Sequence, residues 1–347
     1  MTAVRDDGRA FCARVLPDVS RTFALVIRLL PQALSHAVAV SYLVCRIADS
    51  IEDQPGLLRD RRLHHFAALR RAVIDPTQRV DDLDLSQFDP DVRELMGGTP
   101  LVLGELHRLP TGQQQAIRPW VLEMIDGMAS SLPPDDRHDQ PLFATMAELR
   151  RYCFYVAGTV GHMLTGLFVD HQPPRTPAIA ARLEELAPSF GLVLQLTNII
   201  RDVSADKQLD RDHVPTDIRD AVGLARGEMF AAGRERESWQ VLVPLLAEAQ
   251  ASVAPAVEYI TLLPRRGVRV RLFCLTPLLH ACRTLALLEA QRGVLAPRST
   301  VRMSRREVYQ LTAMAALAAP SNAAVRAVVQ YARRAARPTP ATASSDR

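Results

Sequence analysis

Apolar residues recur every three or four positions along most of this chain, and this spacing restricts its fold more than any other feature. Such spacing places apolar side chains on one face of an α-helix, whereas the alternation typical of half-buried strands is scarce. The pattern predicts helices over roughly 8–30, 33–53, 58–73, 101–107, 112–131, 143–169, 177–207, 216–232, 236–262, 268–292 and 305–334. The sequence therefore predicts an all-α protein.

Turn-forming clusters divide the helical segments. They lie at 75–91, 131–141, 170–177 and 295–300, and each is rich in Pro, Asp, Arg or Ser. None is a long low-complexity linker, so we expect one domain over 1–336. The composition of 337–347 predicts a disordered tail.

Composition narrows the classes of partner and compartment. The 42 basic residues exceed the 38 acidic ones by only four, and the arginines are scattered, which argues against a nucleic-acid partner. Five cysteines form no CxxC pair, and the polar N-terminus is no signal peptide. The uncharged stretches Leu29–Cys45 and Val308–Val325 carry polar residues and are poor membrane spans. We expect a cytoplasmic protein, monomeric, with a peripheral membrane contact to collect an apolar ligand.

Two apolar runs end in acids with helical spacing. Asp49 and Asp53 lie four apart behind the first run, with Glu52 beside them, and Asp202 and Asp206 lie four apart behind the second. Asn198 and Gln195 extend the second face by one and two turns. Carboxylate and amide oxygens suit Mg²⁺. One such pair is commonly a solvated helix face, but two at the ends of buried runs predict a metal site with two walls.

Arginines flank both acidic segments. Arg21, Arg46, Arg201 and Arg211 lie near the acids in sequence, and a guanidinium can bind phosphate oxygens in bidentate fashion. Together with Mg²⁺, these residue types predict a site for a diphosphate.

Five motifs resemble the squalene/phytoene synthase family, and its squalene synthase branch in particular. They appear in the order of the family, from residue 20 to about 290: "SRTFALVI" (20–27), "YLVCRIADSIED" (42–53), "YCFYVAGTVG" (152–161), "LQLTNIIRDVSADKQLDRDHVP" (194–215) and "FCLTPLLHACRTLALL" (273–288). The resemblance covers most of the chain.

The resemblance implies an isoprenoid synthase fold, a helical bundle around a central apolar cavity. It also implies head-to-head (1'-1) coupling of two farnesyl diphosphates through presqualene diphosphate, with Mg²⁺, and reduction by NADPH to squalene. We expect a soluble enzyme of bacterial type, without the C-terminal anchor of eukaryotic squalene synthases.

The resemblance also assigns residues to roles. It implies catalytic roles for Tyr152, Tyr42 and Arg46. The implied diphosphate contacts are Ser20, Arg21, Phe23, Arg46, Gln195, Arg201 and Arg211. The metal ligands are expected to be Asp49, Glu52, Asp53, Asn198, Asp202 and Asp206. NADPH phosphates are expected at Arg302, Arg305 and Arg306.

Two segments depart from the family pattern. Ala205 stands where squalene synthases usually carry Glu, and "RDHVP" (211–215) replaces an aromatic flap over the site. The alternatives are therefore a different product (presqualene diphosphate, dehydrosqualene, phytoene or a single-substrate terpene) and a non-catalytic helical protein that binds prenyl lipids. Gly158 and Gly161 interrupt a helical pattern, which either a close prenyl chain or tight helix packing explains.

Overall fold

Helices dominate the computed structural model, which describes residues 3–54, 56–80, 83–88, 90–133, 142–208, 211–291 and 301–334. Within these ranges no residue lies in a strand, so the prediction of an all-α protein is confirmed. The tail at 337–347 and the breaks at 134–141 and 295–300 lie outside the described residues.

The α-helices of the described residues follow one another along the chain with short connections. In chain order they are α1 Ala3–Val19, α2 Arg21–Leu29, α3 Gln32–Asp53, α4 Arg59–Ile74, α5 Pro90–Gly97, α6 Thr99–Arg108, α7 Thr111–Ser131, α8 Met146–Cys153, α9 Thr159–His171, α10 Pro177–Gln208, α11 Thr216–Ala221, α12 Glu235–Ala251, α13 Val253–Leu262, α14 Val268–Gln291, α15 Arg305–Ala318 and α16 Asn322–Ala332.

The single helix predicted over 8–30 is wrong, because a serine cap divides it. Ser20 has extended backbone angles, φ −156° and ψ 96°, and its hydroxyl accepts a hydrogen bond from the backbone N–H of Phe23 at 3.2 Å. A serine in this position satisfies a donor that the first turn of a helix leaves free. The break starts α2 with its own direction.

Four further predicted helices end early or divide, and one of them, over 143–169, becomes α8 and α9. The helix predicted over 216–232 stops at Ala221, and Gly223 follows with a positive φ of 66°. The predictions over 236–262 and 305–334 each become two helices, divided at Ser252 and near Pro320. The short helix α5 was not predicted, because its first residues fall in a stretch interpreted as a turn. Glycine at positive φ and proline without an N–H explain two of these breaks.

Two long helices form opposite parts of the packing. Helix α3 packs against α1, α2, α4, α6 and α7, whereas α10 packs against α8, α12, α13 and α14. Helix α9 contacts both α3 and α10. The apolar faces of all these helices are buried in one continuous core. This arrangement puts the acidic ends of α3 and α10 on two different walls.

In the part of the chain that the structure describes, four helical stretches are long and apolar enough to cross a membrane by length and composition. They are Gln32–Asp53, Met146–His171, Glu235–Leu262 and Val268–Ala290. The first overlaps a stretch that we interpreted as a poor span. In the first and the last, 72% and 78% of the apolar window is buried inside the protein, so their hydropathy serves the core.

A π-helical turn joins α8 to α9. It spans Phe154–Gly158, within the motif "YCFYVAGTVG". Glycines let it approach α10: a Cβ on Gly191 would lie 2.2 Å from the carbonyl oxygen of Ala157, and one on Gly161 would lie 2.3 Å from that of Ala187. Tight helix packing therefore accounts for Gly161. A π turn within an α-helix is uncommon and often marks a functional segment.

We expect Gly191→Ala to destabilise the protein by about 1–3 kcal/mol, because its Cβ meets backbone that cannot move aside. The measurement is the free energy of unfolding from urea denaturation. Gly104→Ala is the matched control, since a Cβ there meets only the tip of Arg108 at 3.8 Å. The control is expected to be neutral or to stabilise by up to about 1 kcal/mol. Equal effects of the two changes would contradict the proposed packing.

Candidate active site

One polar stripe runs along the otherwise apolar α3. Tyr42, Arg46, Asp49 and Asp53 are spaced four, three and four residues apart, and each is partly accessible. Their neighbours Leu43, Val44, Ile47 and Ile51 are fully buried. Helical spacing puts the four polar residues on one face, so the stripe is an accessible polar surface that runs to the C-terminal end of α3.

A second polar stripe runs along α10. Gln195, Asn198, Asp202 and Asp206 follow at intervals of three, four and four, and all are accessible or partly so. Arg201 binds the adjacent Asp202 in bidentate fashion, with Nε 2.9 Å from Oδ1 and Nη2 against Oδ2. Asp202 therefore has a cationic partner in the metal-free protein.

The chain that follows α10 connects the two stripes. Arg211 donates from Nη2 to the backbone oxygen of Asp53 at 2.5 Å, and its Nη1 lies 2.9 Å from Oδ1 of the same residue. The backbone N–H of Arg211 also bonds to the carbonyl oxygen of Asp206 at 2.9 Å. One residue thus touches the last acid of each stripe, and both predicted acidic motifs meet at one site.

Tyr152 extends the site from the end of α8. Its hydroxyl donates a hydrogen bond to Oε2 of Glu52 at 3.1 Å, and its ring lies 5.1 Å from that of Phe143. Burial and the nearby carboxylates, Glu52 foremost, raise the pKa of Tyr152 well above its ordinary value. The residue is therefore a neutral hydrogen-bond donor in the metal-free protein.

His213 is a site residue that our sequence analysis did not identify. Its Nδ1 lies 3.3 Å from Oδ2 of Asp206, without hydrogen-bond geometry, and its ring centroid lies 5.9 Å from that of Tyr152. The available signal was its position two residues after Arg211, in the segment interpreted only as an altered flap. His213 links the second stripe to Tyr152.

The flap is held in place despite its unusual sequence. Asp212 pairs with Arg219, which is 2% exposed, and the backbone oxygen of Asp212 accepts a hydrogen bond from Leu142 at 3.1 Å. Val214 is fully buried. The replaced aromatic side chains have therefore not detached this segment from the site.

The N-terminal motif borders the first stripe. The rings of Phe23 and Tyr42 lie 5.8 Å apart, and Ser20, besides capping α2, hydrogen-bonds to Tyr42. Burial raises the pKa of Tyr42. The Nε of Arg46 is buried with no hydrogen-bond partner among the described residues. Helix α2 begins at Arg21, whose side chain lies outside the described part.

Asp49, Glu52 and Asp53 crowd negative charge at the end of α3, and the neighbouring arginines do not fully offset it. Burial and the charge of Asp53 raise the pKa of Asp49 to about 7, and burial and the charges of Asp53 and Asp49 raise the pKa of Glu52 to about 8. A cation here would relieve this repulsion, and carboxylate oxygens are the ligands that Mg²⁺ prefers. Within the described residues, no group of three or more His, Cys, Asp or Glu is arranged to hold a metal by itself. The residues thus fit Mg²⁺ that shares its ligands with water and a diphosphate.

We expect the metal-free protein to lose stability as the pH rises from about 4 to about 8. Asp49 and Glu52 have folded-state pKa values above their ordinary 3.8 and 4.5, so the unfolded chain releases these protons at lower pH. The measurement is the melting temperature across this range in chelator. Glu52→Gln should flatten part of the decline, and Mg²⁺ should raise the melting temperature most at the upper end. Identical curves for wild type and Glu52→Gln would contradict this.

The three arginines expected to bind NADPH take no part in the contacts described above. Arg302, Arg305 and Arg306 are exposed around the start of α15, which packs on α14 and α16. Ser304 and Glu307 form the capping box of this helix.

The squalene/phytoene synthase family profile matches residues 16–307, more than four-fifths of the chain. The chain belongs to this family. It is 30% identical over 310 residues to Botryococcus squalene synthase from Botryococcus braunii, covering 88% of this chain and 63% of that one. It is 29% identical over 277 residues to squalene synthase from Schizosaccharomyces pombe, covering 79% and 58%.

A solved structure of the same family shares the fold. The complex of TcSQS with the ligand E5700 superposes with a TM-score of 0.80 at 26% identity, covering 95% of this chain and 98% of that one. This confirms the prediction of an isoprenoid synthase fold. The chain spans about three-fifths of the length of the curated relatives it matches. Both relatives named above are eukaryotic, so they give no support to the expectation of a bacterial type.

Proposed function

We propose that this protein condenses two farnesyl diphosphates head to head to presqualene diphosphate and reduces this intermediate to squalene with NADPH. The observation that carries the proposal is the contact of Arg211 with Asp53 and with the backbone of Asp206, which brings both acidic stripes to one site. Membership of a family of head-to-head prenyltransferases supports it.

The first chemical step breaks an allylic C–O bond and leaves a carbocation and an anionic diphosphate. Bound Mg²⁺ would be held by Asp49 and Asp53 on one wall and by Asn198, Asp202 and Asp206 on the other, and it supplies positive charge for the leaving group. Arg46 has a buried Nε free among the described residues for a diphosphate oxygen. With Asp202 as a metal ligand, Arg201 would be released from this pair and could bind the same oxygens.

The second step forms a bond between the cation and the double bond of the other farnesyl group, and loss of a proton closes the cyclopropane ring. Tyr152 is the residue that we assign to relay this proton, because its neutral hydroxyl lies within the site and can pass its own proton along the hydrogen bond to Glu52 as it takes up the proton of the substrate. Diphosphate assists as the final base.

Reduction requires that water stay out until hydride arrives, since water converts the cation into an alcohol. The contacts of Asp212 with Arg219 and the burial of Val214 keep the altered flap against the site, which favours exclusion of water. When bound, NADPH would supply the hydride that converts the rearranged cation into squalene, with release of NADP⁺ and a second diphosphate. Arg302, Arg305 and Arg306 are proposed to bind the cofactor phosphates.

The test is an incubation of purified protein with Mg²⁺ and farnesyl diphosphate, with and without NADPH, followed by gas chromatography and mass spectrometry after phosphatase treatment. We expect presqualene alcohol without NADPH and squalene with it. Dehydrosqualene or a hydroxylated C30 alcohol in both samples would overturn the reductive step and leave the coupling. Products with fewer than thirty carbons in both samples would overturn the coupling too.

A further inference from the structure

His213 lies against the last acid of the α10 stripe. Its Nδ1 is 3.3 Å from Oδ2 of Asp206, and the two side chains are only 13% and 20% exposed. Within the described residues, no arginine forms an ion pair with this carboxylate, although Asp202 and Asp53 each have one. Because little water reaches the contact, the imidazole is well placed to set the direction of the Asp206 carboxylate.

This pairing differs from that of the acid one turn earlier. Arg201 donates to both carboxylate oxygens of Asp202, so Mg²⁺ has to displace the guanidinium before it binds there. His213 contacts Asp206 at Oδ2, which leaves Oδ1 for a metal. Hydrogen bonds from neighbouring groups orient the carboxylates that ligate metals in proteins. The contact of His213 is therefore compatible with bound Mg²⁺.

The direction of the imidazole ring is fixed by its surroundings. The side chain of Asp212 accepts a hydrogen bond from the backbone N–H of Val214 at 3.1 Å, and Val214 is itself fully buried. The ring of His213 between them packs near two aromatic rings, with its centroid 5.9 Å from that of Tyr152 and 6.3 Å from that of Phe143. The flap thus holds Nδ1 beside the α10 stripe.

One ring nitrogen still lacks a hydrogen bond. Nδ1 of His213 is buried and has no hydrogen-bond partner among the described residues. Oδ2 of Asp206 is near enough to accept from it, and only the direction of approach is unsuitable in the metal-free protein. A buried polar atom without a partner is unfavourable, so a turn of the carboxylate that brings Oδ2 into line is favoured.

We propose that His213 positions Asp206 for the metal. With Mg²⁺ bound, Nδ1–H donates to Oδ2, and Oδ1 is held toward the ion. The loss of such a supporting hydrogen bond typically weakens metal binding by about 10–100-fold. His213 acts through Asp206, so it is a positioning residue. The inference rests on the proposed Mg²⁺ site and adds a residue to it.

Three substitutions separate the donor from the ring. His213→Phe keeps an aromatic ring beside Tyr152 and Phe143 but has no N–H. His213→Asn loses the ring, whereas its amide N–H lies close to the position of Nδ1. His213→Gln places its amide near the position of the other ring nitrogen, Nε2. A role of Nδ1 therefore predicts that only the asparagine variant retains the function.

The measurement is the melting temperature during a titration with Mg²⁺, at a fixed concentration of a non-hydrolysable farnesyl diphosphate analogue. We expect the Mg²⁺ concentration that gives half of the shift to rise about 10–100-fold in His213→Phe and His213→Gln. In His213→Asn it should stay near the wild-type value. The Mg²⁺ concentration for half-maximal consumption of farnesyl diphosphate should move by the same factors, without a comparable change in the KM for farnesyl diphosphate at saturating Mg²⁺.

His162→Phe is the matched control. Nδ1 of His162 lies 2.6 Å from Oε1 of Glu184, and its ring stacks on that of Trp120 with the centroids 4.2 Å apart. This variant loses the same kind of contact and keeps an aromatic ring, but at a position outside the two acidic stripes. Its dependence on Mg²⁺ should be that of the wild type.

The outcomes distinguish the role of His213 from the metal site itself. Wild-type dependence on Mg²⁺ in His213→Phe, or an equal loss in His213→Asn and His213→Phe, would overturn the positioning role and leave the metal site in place. An equal rise in His162→Phe would do the same. If Mg²⁺ caused no shift in the wild-type protein, the proposed metal site would be wrong, and the role of His213 with it.

Discussion

Asp49→Asn and Asp202→Asn are each expected to lower the rate of farnesyl diphosphate consumption by about 10²–10³-fold. Each change removes one carboxylate from the stripes on which Mg²⁺ and diphosphate are proposed to meet, so charge on the leaving group loses stabilisation. The measurement is steady-state release of diphosphate in saturating Mg²⁺. Circular dichroism should show an unchanged helical spectrum.

The matched control for this pair is Asp126→Asn. This variant also loses a carboxylate that pairs with an arginine, since Nε of Arg70 lies 2.9 Å from Oδ1 of Asp126. Both of these side chains are exposed on the surface. We expect it to retain the wild-type rate, because an exposed ion pair contributes little. Near wild-type turnover of Asp49→Asn or Asp202→Asn would refute the two-walled site.

Tyr152→Phe is expected to lower the rate of presqualene diphosphate formation by about 10²–10⁴-fold, the range for loss of an acid–base group. The change removes the hydroxyl that bonds to Glu52 and leaves the ring against Phe143 in place. Quenched-flow measurement of the first turnover separates this step from product release.

Tyr259→Phe controls for the loss of a buried tyrosine hydroxyl. Tyr259 is hydrogen-bonded to Thr165 at 2.8 Å, between α13 and α9. Both variants should lose similar stability, but only Tyr152→Phe should lose activity. If Tyr152→Phe coupled farnesyl diphosphate as fast as Tyr259→Phe does, the Tyr152 hydroxyl would contribute to packing and not to the reaction.

The acidic stripes could be predicted from sequence because they depend on local geometry. Asp49 and Asp53, like Asp202 and Asp206, share a helix face whatever surrounds the helix. The break at Ser20 was not predicted, because apolar spacing continues across it while one hydroxyl changes the backbone direction. The spacing of apolar residues alone does not reveal a side chain that caps a helix.

The contacts that close the site depend on segments distant in sequence. Arg211 lies 158 residues from Asp53, and Tyr152 lies 100 residues from Glu52, so neither partner follows from local spacing. The pairing of Arg201 with its neighbour Asp202 was not expected either. In the metal-free site the carboxylate of Asp202 accepts hydrogen bonds from Arg201, and the spacing of residues along the helix does not predict this contact. His213 was not predicted for a similar reason. Its ring lies near that of Tyr152 only because the flap folds against the site.

One metal–diphosphate site is proposed to lie between α3 and α10. Its most direct test is a crystal structure with Mn²⁺ and a non-hydrolysable farnesyl diphosphate analogue, with the metal located by anomalous scattering. We expect anomalous peaks beside Asp49 and Asp53 and beside Asn198, Asp202 and Asp206, with the analogue's diphosphate between them. Peaks at only one of the two helices, or a diphosphate bound elsewhere, would contradict the two-walled site.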